Sequence, residues 1–382
     1  MKSKFFAAAL VAASLPAVHA AEFKSGDWAV SVDGNINAFY TASSCNQPAG
    51  TVGGLALGDA TLACGGKGNS TVIGNGLLPS MLNVGATTTE DGYNIGAVIG
   101  IGMATATDSA VAQNNVVDVR NAYVTFGNKD MGNIKIGRDY GLFGLDAVLN
   151  DMTLLGVGAA TQGTQNGRVS LGHLASGYTY AGTYGQMVYT SPAMGGLSVD
   201  AGFFNPVNTT LGVAANVASS GPAFQARATY SGANYKAWAA NKSQGFDTFS
   251  MNAMEVGGSL TLGRFGLIAN YQVGNGLGML ADGDQGNVKG INTFVQASYK
   301  MTDRLKLGLG IGRSRNDTDP GVSAALPTGG DLMSNDNTTA GVYFNLTKSL
   351  TLVGEIGQTH SSAFNGADAR QSSYSVGGIF FF

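Results

Sequence analysis

The sequence predicts an all-β fold, a transmembrane antiparallel β-barrel of about sixteen strands. Three observations predict it. Apolar residues recur at every second position through most of the chain, and a helical period is nearly absent. Charged residues are 12% of the chain, where about 25% is usual. No apolar run after residue 20 reaches the ~18 residues of a spanning helix. A surface with so few charges suits lipid, and strands cross lipid with only alternate residues apolar.

The first twenty residues are set aside before the fold. Lys2 and Lys4 form a positive start, Phe5 to Val18 is an apolar stretch, and Val18-His19-Ala20 reads as a cleavage site. Residues 1–20 are expected to be a signal peptide of an exported protein, and residues 21–382 a single barrel domain. Removing Lys2 and Lys4 from the 21 basic residues leaves 19 against 24 acidic ones, a net charge of about −5. That balance excludes nucleic acid as a partner, because phosphate binding needs clustered Lys and Arg.

Period two is clearest near the end of the chain. Leu305, Leu307, Leu309 and Ile311 alternate with Lys306, Gly308, Gly310 and Gly312. Leu267, Ala269, Tyr271 and Val273 alternate with Ile268, Asn270 and Gln272, and Ala340, Val342, Phe344 and Leu346 with Gly341, Tyr343 and Asn345. The expected strand centres are Val32, Val84, Ala97, Tyr123, Ile136, Tyr180, Val199, Ala228, Ala239, Gly257, Ala269, Val295, Leu309, Phe344, Val353 and Val376. Short connections such as Glu90-Asp91-Gly92 and Met301-Thr302-Asp303 alternate with long ones such as 139–167 and 314–337. Short turns at one rim and long loops at the other are the barrel arrangement. Tyr374, Val376, Gly378, Phe380 and Phe382 alternate to the last residue. A barrel pairs this strand with the one around Val32 and leaves no edge. Closure is demanded because an unpaired backbone group in hydrocarbon costs several kcal/mol.

Cys45 and Cys64 lie in one Gly-rich loop of an exported chain, which favours a disulfide. That loop is expected at the outer rim. No cofactor is expected, and no metal. Asp282-Gly283-Asp284-Gln285-Gly286-Asn287 is superficially like a calcium loop but lacks the later Glu. After residue 20 only His173 and His360 remain, too few to favour an enzyme.

Four motifs resemble the Gram-negative trimeric porin family. They are Ser80-Met81-Leu82 through Glu90-Asp91-Gly92, Arg120-Asn121-Ala122-Tyr123-Val124 through Gly137-Arg138-Asp139, Tyr189-Thr190-Ser191-Pro192 with Gly195-Gly196-Leu197, and Phe382. The resemblance runs over nearly the whole mature chain. It implies a homotrimer of sixteen-stranded barrels in the bacterial outer membrane, each a passive water-filled channel for ions and small hydrophilic solutes. The partners it implies are a second and third copy, outer-membrane lipid and lipopolysaccharide, and an insertion machinery that reads Phe382. It implies an inward-folded third loop, here about 139–167, ending at Asn166-Gly167-Arg168-Val169.

The resemblance also implies a constriction in which basic wall residues face acidic loop residues across the pore. By match, Arg120 and Arg168 are the wall residues and Arg138 stands at the loop's base. Asp118 shares the face of Arg120 by period two. Asp146 and Asp151 are the loop's own acids between Asp139 and Arg168. Such a field, focused by a low-dielectric wall, filters ions. The chain departs from the family at Met81 and Asn35, where basic residues are usual, and its loop reads Leu154-Leu155-Gly156-Val157-Gly158 where an acidic segment is usual. The expected filter is therefore sparse. Two rival readings are a substrate-specific outer-membrane channel and an exported β-rich adhesin; the adhesin explains neither the low charge nor the terminal Phe.

Overall fold

The computed structural model describes residues 21–107, 117–162, 170–209, 216–321 and 330–382. The signal-peptide residues 1–20 and Arg168 lie outside them. The strands are β1 (Ala21–Ser25), β2 (Trp28–Cys45), β3 (Asn69–Gly74), β4 (Ser80–Glu90), β5 (Tyr93–Met103) and β6 (Val117–Asn128). They continue with β7 (Gly132–Tyr140), β8 (Thr183–Thr190), β9 (Leu197–Phe204), β10 (Ala223–Ser231), β11 (Tyr235–Gly245) and β12 (Ser250–Leu262). The last are β13 (Phe265–Asn275), β14 (Lys289–Lys300), β15 (Leu305–Asn316), β16 (Leu332–Asn345), β17 (Leu350–Ala363) and β18 (Asp368–Phe381). Helix is confined to α1 (Ala60–Ala63), α2 (Leu145–Asn150) and a 3-10 turn at Met152–Leu155.

Sixteen strands close an antiparallel ring, and β1 and β3 lie outside it. Closure falls where the C-terminal strand meets β2, with Val376 opposite Tyr40 and Phe381 opposite Asn35. The Phe382 backbone exchanges two hydrogen bonds with Gly34, at 2.9 and 3.1 Å. The other flank of β2 pairs with β4, Val32 opposite Val84. No rung of the ring is left as an edge, as a lipid-facing sheet requires.

Alternation sorts the side chains. On β12, Met254 and Val256 face out while Met251, Ala253 and Glu255 are buried inside. On β17, Leu352 and Ile356 face out while Val353, Glu355 and Thr359 are buried. Aromatics ring the outer surface near the short turns, where Tyr230 meets Tyr235 and Phe265 meets Tyr299. Aromatic girdles at the interface flank the apolar band of such barrels.

One expected strand is corrected. The wall does not resume near Tyr180; β8 starts at Thr183, and Ser170 to Gly182 stays inside the barrel. Left-handed backbone at Gly172, Ala175 and Gly182 breaks the extended path there, and the alternating small residues are buried on both faces.

Candidate functional site: the inward loop and the wall that holds it

Loop 141–182 leaves β7, folds into the lumen and returns to β8. The wall holds it by its backbone. Gln225 accepts from the Leu142 and Phe143 N–H groups at 2.8 and 3.1 Å. Glu255 accepts from Gly144 N–H at 2.7 Å, at the start of α2. Gln272 accepts from Thr179 N–H at 2.9 Å, and Gln296 from Met152 N–H at 2.7 Å. Glu355 accepts from Val157 and Gly158 N–H at 2.7 and 2.8 Å, and Gln371 donates to the Ala160 carbonyl at 3.1 Å. All six wall residues are buried. A loop buried inside a barrel needs partners for its peptide groups, and inward Gln and Glu supply them.

The glycines of β15 make room on the same wall. A Cβ on Gly310 would lie 2.7 Å from His173 Cε1, one on Gly308 would strike Met152 Sδ, and one on Gly312 the Ser176 carbonyl. The alternating Gly-Leu-Gly-Ile-Gly run is thus a groove for the loop on one face and a lipid surface on the other.

Inside the loop, Asp151 accepts from Thr153 N–H at 2.8 Å and Tyr178 hydroxyl at 2.7 Å, and meets His173 Nδ1 at 2.9 Å. Burial pushes the Asp151 carboxyl up, but His173, Tyr178 and Thr153 together hold it below its ordinary value. His173 and Tyr178 also pack on Phe294, with ring centroids 4.7 and 5.5 Å away. His173 Nε2 meets no serine, so the Asp–His pair is a brace of the loop.

The expected constriction residues separate into distinct environments. Arg120 is the extra residue of a bulge, since Asn121 pairs with Gly100 and Val119 with Ile101. Bulges re-aim side chains, and Arg120 turns inward to 6% exposure. Its Nε lies 2.8 Å from Asp118, as an ion pair rather than an aligned hydrogen bond. Its Nη1 donates to the Tyr180 hydroxyl at 2.7 Å. Asp118 and Arg120 therefore do share a face. Arg138 instead shares the outward face of Ile134 and Ile136, exposed, with Thr183 Oγ1 3.5 Å away. The structure does not bring it to the lumen, because Arg138 falls on the other parity from inward-facing Lys135 and Asp139.

Asp146 and Asp151 are 1% and 3% exposed. Asp146 pairs with Arg227 Nη1 at 3.1 Å and with Lys236 Nζ, and Arg227 also binds Asp200 at 2.7 Å. A wall-to-loop charge pairing exists, but it runs from β10 and β11, with Arg227 and Asp146 buried and Lys236 partly exposed. Arg227, Lys236 and Asp200 were missed by the sequence reading; the signal was their shared inward parity with Gln225, Trp238 and Gly202. Asn35 is spent on the Pro79 carbonyl at 2.9 Å. Met81 is buried, and Gly102 lies between its Sδ and the Arg120 Nε.

Other loops brace the same core. Cys45 and Cys64 form a disulfide with Cα atoms 6.4 Å apart. The loop it closes, expected at the outer rim, is exposed at Asn46, Pro48 and Ala49, and its middle packs inward. Leu55, Ala56 and Leu57 join Leu174 and Tyr178 in one buried cluster, and Leu62 accepts a 2.7 Å hydrogen bond from Gln162 N–H. Leu280 of loop 276–288 accepts from Tyr180 N–H at 3.1 Å. In that loop Asp282 pairs with Lys242, and Asp284 accepts from Met279, Leu280 and Ala281 N–H at 2.8 Å. Burial raises the Asp284 pKa to about 6. Both carboxylates are thus occupied, and no metal-binding group of three occurs among the described residues.

A closed sixteen-strand barrel, apolar outside and polar inside around an inward loop, is an outer-membrane channel. The chain belongs to the Gram-negative porin family, whose model matches residues 7–363. Its place is the bacterial outer membrane, and the family is one of channels rather than enzymes. A comparison with curated proteins returns no significant match. Among solved structures, the outer-membrane channel DcaP of Acinetobacter baumannii is 16% identical with TM-score 0.68, covering 95% of this chain and 100% of that one. An anion-selective porin from Comamonas acidovorans is 16% identical with TM-score 0.63, covering 93% and 100%. OmpT of Vibrio cholerae, solved in a trimer form, is 14% identical with TM-score 0.55, covering 93% and 99%. At these identities the likeness bears on the fold alone.

Proposed function

We propose that this porin is a passive, water-filled channel for ions and small hydrophilic solutes, with selectivity set at the Arg120–Asp118 pair rather than by the loop acids. The observation that carries this is the burial of Asp146 and Asp151, against an Asp118 whose side chain is 39% exposed where it pairs with Arg120 on the inward face of β6. A charge already paired in a dry environment contributes little field to a passing ion. Arg168 is assigned to the same wall by motif alone. The trimer form of the similar OmpT supports a homotrimer here. The outward apolar staves suit lipid, and exposed rim charges such as Arg313 and Arg370 suit the lipopolysaccharide surface. Phe382 is assigned as the signal read by the insertion machinery, and residues 1–20 as the export signal.

Purified protein in planar bilayers should give stepwise, ohmic conductance, and its absence would sink the channel reading. Arg120→Ala with Arg168→Ala should shift the reversal potential in a salt gradient toward cations. An unchanged potential would remove both arginines from the filter.

A further inference from the structure

The inner wall carries a notch between two amide oxygens. Asp33 on β2, Asn83 on β4, Gly100 on β5 and Asn121 on β6 stand directly opposite one another in register, one row across four neighbouring strands. The row faces inward, since its neighbours Val84 and Ile99 are exposed on the outer face. Asn83 Nδ2 donates to Asp33 at 2.8 Å, and Asn121 Nδ2 donates to Asp139 at 2.7 Å. With both nitrogens committed to carboxylates, the two oxygens turn toward Gly100. A Cβ built there would lie 2.6 Å from Asn121 Oδ1 and 2.9 Å from Asn83 Oδ1, and the nearest atoms belong to these amides, not to the inward loop. Neither oxygen accepts a hydrogen bond among the described residues, although Asn121 is only 8% exposed.

Two carbonyl dipoles aimed at one spot repel unless a donor or a cation stands between them. A glycine inside a strand often marks the close approach of a ligand. The charges favour a cation. Lys135 neutralises Asp139, while Asp33 forms no ion pair among the described residues and keeps its charge. Arg120 lies one inward step away, beside Gly102, but Asp118 balances it. Carbonyl oxygens in a pore replace part of an ion's water. Resting on the channel reading above, we infer that the Gly100 notch is a cation subsite of the pore. Its occupant is a small monovalent cation, an alkali ion or a primary ammonium group. That cation trades part of its water for the Asn83 and Asn121 oxygens, and Asp33 supplies the countercharge.

The test is the bi-ionic reversal potential of the full-length protein in planar bilayers, with chloride on both sides. Potassium and methylammonium are each set against tetramethylammonium, which carries the same charge but holds its methyl groups between that charge and the oxygens. At least one of the two should exceed its free-diffusion ratio over tetramethylammonium by about 5-fold, the worth of one net hydrogen bond. The arm that shows the excess names the occupant. Gly100→Ala fills the notch, displaces only the flexible amide ends, and should lower that ratio. A narrower bore alone would raise it, because tetramethylammonium is the larger ion, so sieving and binding give opposite signs. Asn83→Leu, close to Asn in volume, should lower the ratio too and keeps the test available should Gly100→Ala fail to insert. Diffusion ratios for both cations in wild type, or a ratio that a conducting variant leaves unchanged or raises, overturn the inference. Failure of the channel reading looks different, since KCl conductance itself would then be missing.

Discussion

The two sides of the inward loop obey different physics. Against β10 to β18 the loop is buried, and the wall takes much of its backbone. Gln225, Glu255, Gln296 and Glu355 take its N–H groups, and the glycines of β15 receive its side chains. Toward β6 its half-buried Tyr180 meets a wall bearing one ion pair. The same strand periodicity builds both sides. The difference teaches that inward polar residues of a barrel need not line a pore, because many are spent on holding what narrows it. Buried carboxylates that accept backbone N–H groups are structural parts, and the functional charges are those that remain at the water boundary.

This contrast can be broken from the buried side first. Opening the Cys45–Cys64 bridge with paired serine substitutions should cost the folded chain ~3 kcal/mol in the chain-entropy view. It should also raise open-channel noise, because the bridged loop packs on the core that supports loop 141–182. Noise identical to wild type in single-channel records would show that this loop does not brace the plug. Gly310→Val should add about 1–3 kcal/mol of overpacking against His173 and raise conductance as the loop is pushed off its groove. Unaltered conductance with a fully folded barrel on a heat-shift gel would contradict the groove.

Glu355→Ala should leave the Val157 and Gly158 N–H groups buried and unpaired, a cost of about 1–3 kcal/mol. Hydrogen exchange at those two amides is the readout, and protection equal to wild type would count against the anchor. A smaller effect follows from Asp284. Its folded-state pKa of about 6 lies above its ordinary value, so the folded protein binds this proton more tightly. Stability from this group is therefore present at low pH and declines as pH rises toward 6. The thermal midpoint should fall less between pH 5 and pH 7 in Asp284→Asn than in wild type. Arg138→Ala should do least, leaving reversal potential and conductance unchanged, in keeping with its outward face.

Much of the fold was legible because lipid imposes a strict period on every strand. Fifteen of the sixteen expected strand centres fall inside strands of the structure, and the exception, Tyr180, lies where buried loop residues happen to alternate. The disulfide was legible from two cysteines in one exported loop, but the inward fold of that loop was not, since its leucines read equally as rim or core. The site was legible only in part. Arg120 and Asp118 followed from parity, although the bulge that aims Arg120 has no local sequence mark. The roles of Asp146 and Asp151 depend on partners 22 to 90 residues away in sequence, such as Lys236 and His173, and period two says nothing about which far-off side chain a loop acid will meet.

The central claim is that the loop acids are out of the filter while the wall pair is in it. Its most direct test is the reversal potential of Asp118→Asn and Asp151→Asn channels in the same KCl gradient. The account predicts a shift toward anions for Asp118→Asn, which frees the Arg120 charge, and no shift for Asp151→Asn. A shift with Asp151→Asn and none with Asp118→Asn would contradict it.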